Sequence, residues 1–179
     1  MATKALFNTV VNWFIRQRMD QIQQFMNHPI ETQNGVLFSQ LYHAENTDYG
    51  KIHGFSSISS YDDFRRNVPI VTYEDFEPYI EKARQGNPDV FWPGYIRKFA
   101  KSSGTTNAKS KFIPISEECL EDCHFKAGKD LLSIYANNHP ENSLFSNKNL
   151  RLGGSSELYE DFNTKFGDLS AIMIENLPF

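Results

Sequence analysis

Cysteine is nearly absent from this chain. Its 179 residues include two, Cys119 and Cys123, too few for a disulfide framework. They lie four residues apart in a stretch that reads as helix, so both point to one face and are poorly placed to bridge. Two half-buried thiols in a reducing compartment are the expectation. His124 follows Cys123 in sequence but turns elsewhere on the helix, so no metal-ligand set is read there. A long apolar run is missing too. Asn8, Asn12 and Arg16 interrupt the N-terminal apolar residues, which leaves no secretion-signal core, and no stretch approaches a membrane span. Surplus positive charge is also lacking. A net charge of −4 and a pI near 5.7 argue against a general nucleic-acid binder. There is no internal repeat and no low-complexity tract. The expectation is a cytoplasmic protein with no nucleic-acid and no membrane partner.

What is present is the material of a core. Hydrophobic residues make up 40% of the chain, with 15 Phe and 8 Tyr, which is a globular composition far from the disordered class. The length suits one domain or part of a larger one.

Residues 3–27 read as one amphipathic helix. Leu6, Val10, Trp13, Phe14, Met19, Ile22, Phe25 and Met26 recur at helical spacing, a stripe that packing against a core explains better than partner binding. Residues 30–46 give a second helix with Val36, Leu37, Leu41 and Tyr42 on its apolar side. A turn-rich passage with one short helical turn follows, and its His53 has no sequence neighbour that would orient it. Ser60 caps a short helix that stops before Pro69, with acids in its first turn. Residues 66–72 are extended because Pro69 disfavours helix before it. Thr72 caps the next helix, Tyr73 to Gln85, whose Glu74, Asp75 and Glu77 sit at its positive end. Gly86 terminates it. After the aromatic, proline-rich loop 87–94 the pattern changes from helices to strand, loop, strand and helix. Residues 95–101 and 111–115 read as two strands, and Pro114 assigns the second to a sheet edge or a bulge. Ser116 opens a long helix to about Asn137, with Leu120, Phe125, Leu131, Leu132 and Ile134 as its buried positions. Leu150 to Leu152 reads as a short strand before Gly153-Gly154-Ser155, which an ordinary hairpin turn would explain. Residues 157–166 are mixed. Asp168 caps a short apolar helix closed by Pro178. The expected organisation is a helical segment at 1–94 and a strand–loop–strand–helix segment at 95–179.

The chemistry concentrates between the two strands. Ser102, Ser103, Thr105, Thr106 and Ser110 place five hydroxyls within nine residues around Gly104. From Tyr95 to Ser116 there are five cations and no carboxylate, so the remainder of the chain carries −9. A basic, hydroxyl-rich loop in an acidic protein offers charge and donors to a phosphate. It is not a Walker-type loop. That motif needs a second glycine before its Lys-Ser pair and a helix beginning at the loop; Ala108 precedes Lys109-Ser110, and the helix starts only after Ser116. Two readings of these residues remain: a solvated turn, or a phosphate-holding loop between antiparallel strands.

The block Ser102-Ser103-Gly104-Thr105-Thr106 through Lys111-Phe112-Ile113-Pro114 resembles the signature of the adenylate-forming superfamily, which includes acyl-CoA synthetases, luciferases and peptide-synthetase adenylation domains. The chain is more closely similar to the bacterial branch of the acyl-acid amido synthetases, the auxin-responsive promoter family. That likeness rests on the opening helix, Val68-Pro69-Ile70-Val71-Thr72-Tyr73, the Ser102–Ile115 block, Gly153-Gly154-Ser155, and Gly167 to Ala171 with Asn176 to Pro178. It implies an α/β fold, α+β within this stretch, belonging to an adenylation domain. It also implies a ligase that joins a carboxylic acid to an amine such as an amino acid through an acyl adenylate, using ATP and Mg²⁺. Carried over, it makes Ser102, Ser103, Gly104, Thr105 and Thr106 phosphate contacts and Lys111 the catalytic lysine. Lys109 is a further cation in reach. Family loops often carry glycine where Asn107 and Ala108 stand. The family's adenine-binding segment, acidic ribose contact and mobile C-terminal domain find no counterpart here, so an N-terminal piece, inactive alone, is the expectation. An acyl-CoA synthetase-like enzyme and a non-catalytic helical interaction module are the alternatives. Tyr95, Phe99 and Gly153 to Ser155 are candidate acyl-pocket residues.

Overall fold

A computed structural model describes residues 2–102, 110–140, 142, 150 and 153–177, with the side chains of 2–12, 14 and 16 excepted. The chain forms two compact units, Met1–Gln33 with Glu118–Arg151 and Asn34–Glu117 with Leu152–Phe179. The class is the mixed α/β one expected.

In the first unit, α1 (Ala2–Asn27) packs against α6 (Lys126–Asn138). Arg18 clamps Asp130 through Nε and Nη2, the latter 2.8 Å from Oδ2. The apolar stripe of α1 is buried at Ile22 but exposed at Trp13, Phe25 and Met26, so packing accounts for only part of it. Leu6, Val10 and Phe14 lie outside the described side chains. A π-helical segment, Cys119–Phe125, precedes α6 and corrects the expected burial pattern. Its hydrogen bonds run from i to i+5, which lets Leu120 and Phe125 both be buried although five residues of α-helix would turn them to different faces. The extra residue shifts the phase of all that follows. Ser133 and Ala136 are buried, while Leu131 is 69% exposed and Ile134 39%.

The second unit holds the sheet. β1 (Lys98–Lys101) and β2 (Phe112–Ile115) form the expected antiparallel pair. The mixed stretch after residue 157 is a second hairpin, β3 (Leu158–Asp161) and β4 (Thr164–Gly167). Its two loop residues, Phe162 and Asn163, both have positive φ, as a tight two-residue hairpin requires. β4 pairs parallel with β1, giving the order β2-β1-β4-β3. Pro114 therefore sits on an edge strand, as its missing N–H demands.

α5 (Tyr73–Arg84) covers this sheet, and Ile80, Ala83, Val90, Ile96 and Phe99 form the core. Arg84 lays its guanidinium 4.1 Å from the Phe112 ring centroid. In α2 (Pro29–Ala44) the buried residues are Leu41 and Ala44, whereas Val36 and Tyr42 are exposed; each is one residue, about 100°, off the stripe. α3 (Asp48–Ile52) fills the expected helical turn. Its first N–H groups reach the 87–94 loop, Asp48 N to Asp89 O at 2.8 Å and Tyr49 N to Val90 O at 2.9 Å. Tyr49 meets Phe76 and Tyr79 edge-on at 5.2 and 5.3 Å, one use of the aromatic surplus. His53, expected to lack an orienting partner, has one: Nδ1 lies 3.0 Å from Asn67 O, and the ring tilts on Tyr49. α4 (Tyr61–Asn67) starts at Ser60, whose hydroxyl accepts the Asp63 N–H at 3.1 Å.

Two glycines predict opposite outcomes on replacement. A Cβ on Gly50 would fall 2.0 Å from Ala44 O, while one on Gly35, inside α2, meets nothing within 4 Å. Urea denaturation should show Gly50→Ala destabilising by about 2–3 kcal/mol and Gly35→Ala stabilising by about 0.5–1 kcal/mol. Asp63 gives a pH prediction. It accepts hydrogen bonds from the hydroxyls of Ser60 and Ser59, then from the Ser59 N–H, and these hold its carboxyl down at about 2. The stability it contributes is complete above the ordinary value of 3.8 and lost as pH falls towards about 2. A ¹³C carboxyl titration should place its midpoint near the lower value.

Candidate functional site

The β1–β2 hairpin builds the neck of the hydroxyl-rich loop. Ser102 N donates to Lys111 O at 2.9 Å, and Lys111 N donates to Ser102 Oγ at 3.0 Å. The first and last of the candidate residues thus meet directly. As an acceptor here, the Ser102 hydroxyl keeps its own proton for donation. Ser103, Gly104, Thr105, Thr106 and Lys109 lie outside the described residues.

The Lys111 ammonium is held by the start of α5. Nζ lies 2.8 Å from Glu74 Oε1 and 4.6 Å from the centroid of the Tyr73 ring. The Tyr73 hydroxyl accepts the Phe112 N–H at 2.9 Å. That N–H belongs to an edge strand, and a side-chain hydroxyl takes the place a neighbouring strand would fill. The α5 terminus that carries these groups is fixed by a capping box: Thr72 Oγ1 accepts the Asp75 N–H, and Asp75 Oδ2 accepts the Thr72 N–H at 2.9 Å. The hydrogen bond from Lys111 is the main reason the Glu74 carboxyl lies below its usual range. Two stretches that sequence kept apart, Val68 to Tyr73 and Ser102 to Ile115, are thereby joined. Glu74 is the site residue that sequence reading missed. Its position in a first helical turn explained it fully, and its partner is 37 residues away.

A second cluster forms around the glycine pair. Gly154 N donates to Ser170 Oγ at 3.2 Å and Ser155 N to Asp168 Oδ2 at 2.9 Å. A Cβ on Gly154 would stand 2.4 Å from that carboxylate oxygen, so a side chain there would push the carboxylate off the Ser155 N–H. This corrects two expectations. The glycine pair is no hairpin turn, but a bend laid on α7 (Leu169–Glu175). Asp168 occupies the N-cap position of α7, yet its side chain makes no capping bond; the carboxylate is drawn aside to Ser155. The short strand expected from Leu150 to Leu152 falls largely outside the described residues, which omit Arg151 and Leu152, and so does Pro178.

Sheet topology relates the two clusters. Ala100 pairs with Gly167 across the parallel β1–β4 ladder. Ser102 and Asp168 therefore leave the sheet at the same end, where the C-terminal ends of parallel strands form ligand sites in α/β folds. Tyr95, expected near the loop, lies at the other end of β1. There it lines a cleft of about 380 Å³ with Arg97, Phe162 and Asn163. Phe99 is wholly buried in the core and cannot line a pocket. Cys119 is half-buried, and burial pushes its thiol up. Among the described residues no group of three or more His, Cys, Asp and Glu is placed to hold a metal, and no helix is long and apolar enough to cross a membrane.

Comparison with known proteins places this geometry in a family. The GH3 family N-terminal domain matches residues 18–176. Similar sequences include jasmonoyl–L-amino acid synthetase JAR6 of Nicotiana attenuata, 37% identical over 76 residues, which are 42% of this chain and 13% of that protein. Indole-3-acetic acid-amido synthetase GH3.2 of Arabidopsis thaliana is 32% identical over 101 residues, 56% of this chain and 18% of that protein. Among solved structures, the GH3.15 acyl acid amido synthetase superposes with a TM-score of 0.76 at 22% identity, over 88% of this chain and 28% of that one. At that identity the likeness is one of fold. The matched stretches span less than a fifth of these curated relatives' length. The domain match takes in the loop neck, the α5 terminus that holds Lys111, and the Gly154–Asp168 cluster, and through it the chain belongs to the GH3 family, as an N-terminal domain.

Proposed function

We propose that the protein containing this chain is an ATP-dependent acyl-acid amido synthetase. The observation that carries the reading is the family match over residues 18–176, with the Ser102–Lys111 neck inside it. The relatives' names support the chemistry: they include synthetases of jasmonoyl and indole-3-acetic acid amides and a 4-substituted benzoates–glutamate ligase. In the proposed reaction a carboxylate oxygen of the acid attacks the α-phosphorus of ATP. The α–β phosphoanhydride bond breaks and pyrophosphate leaves. An amine, typically that of an amino acid, then attacks the acyl carbon of the adenylate, loses a proton and displaces AMP.

The loop serves the first step. Negative charge grows on the pyrophosphate oxygens as the bond to the α-phosphorus lengthens, and donors already aimed at them lower the barrier. Ser102, Ser103, Thr105 and Thr106 supply hydroxyls, Gly104 allows close backbone approach, and Lys111 supplies the cation, with Lys109 a second one in reach. The neck geometry fits this role. It fixes the backbone of Ser102 and Lys111 to each other, so the loop between them is closed at its base before any anion arrives. Mg²⁺ is a co-substrate partner of the phosphates and takes few protein ligands of its own. Segments 1–94 and 95–179 would both belong to one adenylation domain, in a cytoplasmic enzyme.

The test is acid-dependent exchange of labelled pyrophosphate into ATP by the full-length product of the gene, across a panel of aromatic and aliphatic carboxylic acids. Exchange with at least one acid is expected. Lys111→Ala should lower it by about 100-fold, the effect of removing one transition-state donor. Absence of exchange across the panel, or a Lys111→Ala protein as active as the parent, refutes the assignment. Amide products with an amino-acid panel then identify the acceptor.

A further inference from the structure

The candidate cation of the loop is already paired. The Lys111 ammonium gives one hydrogen bond to Glu74 at 2.8 Å and turns another side to the Tyr73 ring at 4.6 Å. Neither partner is a loop residue. Both come from the first turn of α5, and three features hold that turn in place: the Thr72–Asp75 capping box, the Tyr73 hydroxyl on the Phe112 backbone, and the packing of Ile80 and Ala83 beneath. The pair itself is largely solvated, with side-chain exposures of 41% for Lys111 and 67% for Glu74. A solvated pair of this kind is weak and easily exchanged. The aromatic ring carries no net charge, whereas the carboxylate repels an incoming anion with a full one.

We propose that Glu74 is the resident counter-ion of Lys111, a positioning residue that holds the ammonium beside the loop neck and is displaced from it when a polyphosphate anion enters. Glu74 thus competes with the anion for the same ammonium. Tyr73 remains against Lys111 in both states and limits how far the side chain swings. This rests on Lys111 being a phosphate contact, as in the reading above.

Competition gives the opposite sign to simple structural support. Removing the charge at Glu74 should tighten anion binding, because the ammonium no longer has a rival and the anion no longer faces a carboxylate. Removing a purely structural partner would loosen it.

The experiment titrates this chain with inorganic pyrophosphate and Mg²⁺ in low salt, following the backbone amide signals of Ser102 and Lys111. Glu74→Gln should lower the apparent dissociation constant by about fivefold, the order expected for one like charge at this range in a solvated site. Glu77→Gln removes the same charge from an exposed position further along α5 and should change it less than twofold. Lys111→Ala should weaken binding, and adding Glu74→Gln to it should then recover less than the fivefold gained in the parent, because only the direct repulsion by the carboxylate is left to remove. Weaker or unchanged binding in Glu74→Gln, with Lys111→Ala still damaging, overturns this proposal and leaves the phosphate reading intact. If Lys111→Ala binds like the parent, or no variant gives a saturable shift, both fall.

Discussion

Burying Phe99 completely requires β1 to have neighbours on both sides, and only one of them is near in sequence. The hairpin supplies β2 at once. The other side is closed by β4, whose Lys165 pairs with Lys98 after a connection far too long to be a turn. Parallel pairing excludes a turn, because a parallel strand must return to the same end before it can run alongside. That constraint orders the rest of the second unit. It makes β2 and β3 the edges, gives Pro114 its only tolerable place, and sends the chain out of β1 and β4 in one direction. The neck at Ser102 and Lys111 and the Gly154–Asp168 cluster share an end of the sheet for this reason.

Local chemistry was legible and long-range chemistry was not. The caps at Ser60 and Thr72 could be read because the capping hydroxyl and the N–H that donates to it are three residues apart, within the reach of a short pattern. The β1–β2 pair and the edge position of Pro114 were readable for the same reason. The β3–β4 hairpin escaped because its loop is Phe162-Asn163, where a two-residue hairpin usually announces itself with Asn-Gly or Asp-Gly. A phenylalanine at positive φ carries no such signal. Asp168 does stand at a helix start, but its carboxylate serves elsewhere: a capping carboxylate and a loop-holding carboxylate look alike until the loop is seen. Of the site, the neck was legible as a strand–loop–strand, and its bracing by α5 was not.

The π-helical segment shows how a single irregularity misleads a periodic reading. Helical spacing is counted from a starting residue, and every later position inherits the phase. Between Leu120 and Phe125 the helix takes one residue more per hydrogen-bonded ring. Counting onward at 3.6 residues per turn from Leu120 then selects Leu131 and Ile134. Counting from Phe125 turns Leu131 and Ile134 about 120° and 180° away and leaves Ser133 and Ala136 about 80° and 20° away, and the nearer two are the buried ones. Residue types gave no warning, since the exposed pair is the more apolar and the buried pair is small.

Glu74 illustrates the same limit in electrostatics. Near the start of α5 it favours the positive end of the helix dipole, and that role would suffice to explain an acid there. The structure adds a second demand on the same carboxylate, because β2 delivers Lys111 to within hydrogen-bonding distance. The two demands agree at rest, since both favour an ionised Glu74. On the proposed reading they would separate once an anion binds. The dipole would still favour the carboxylate, while the lysine would gain a stronger partner than Glu74. If the loop holds pyrophosphate and later releases it, as proposed, a lysine with a weak local partner would serve it better than one left bare. The weak pair would lower the affinity for the leaving group and return the ammonium to a defined position after release.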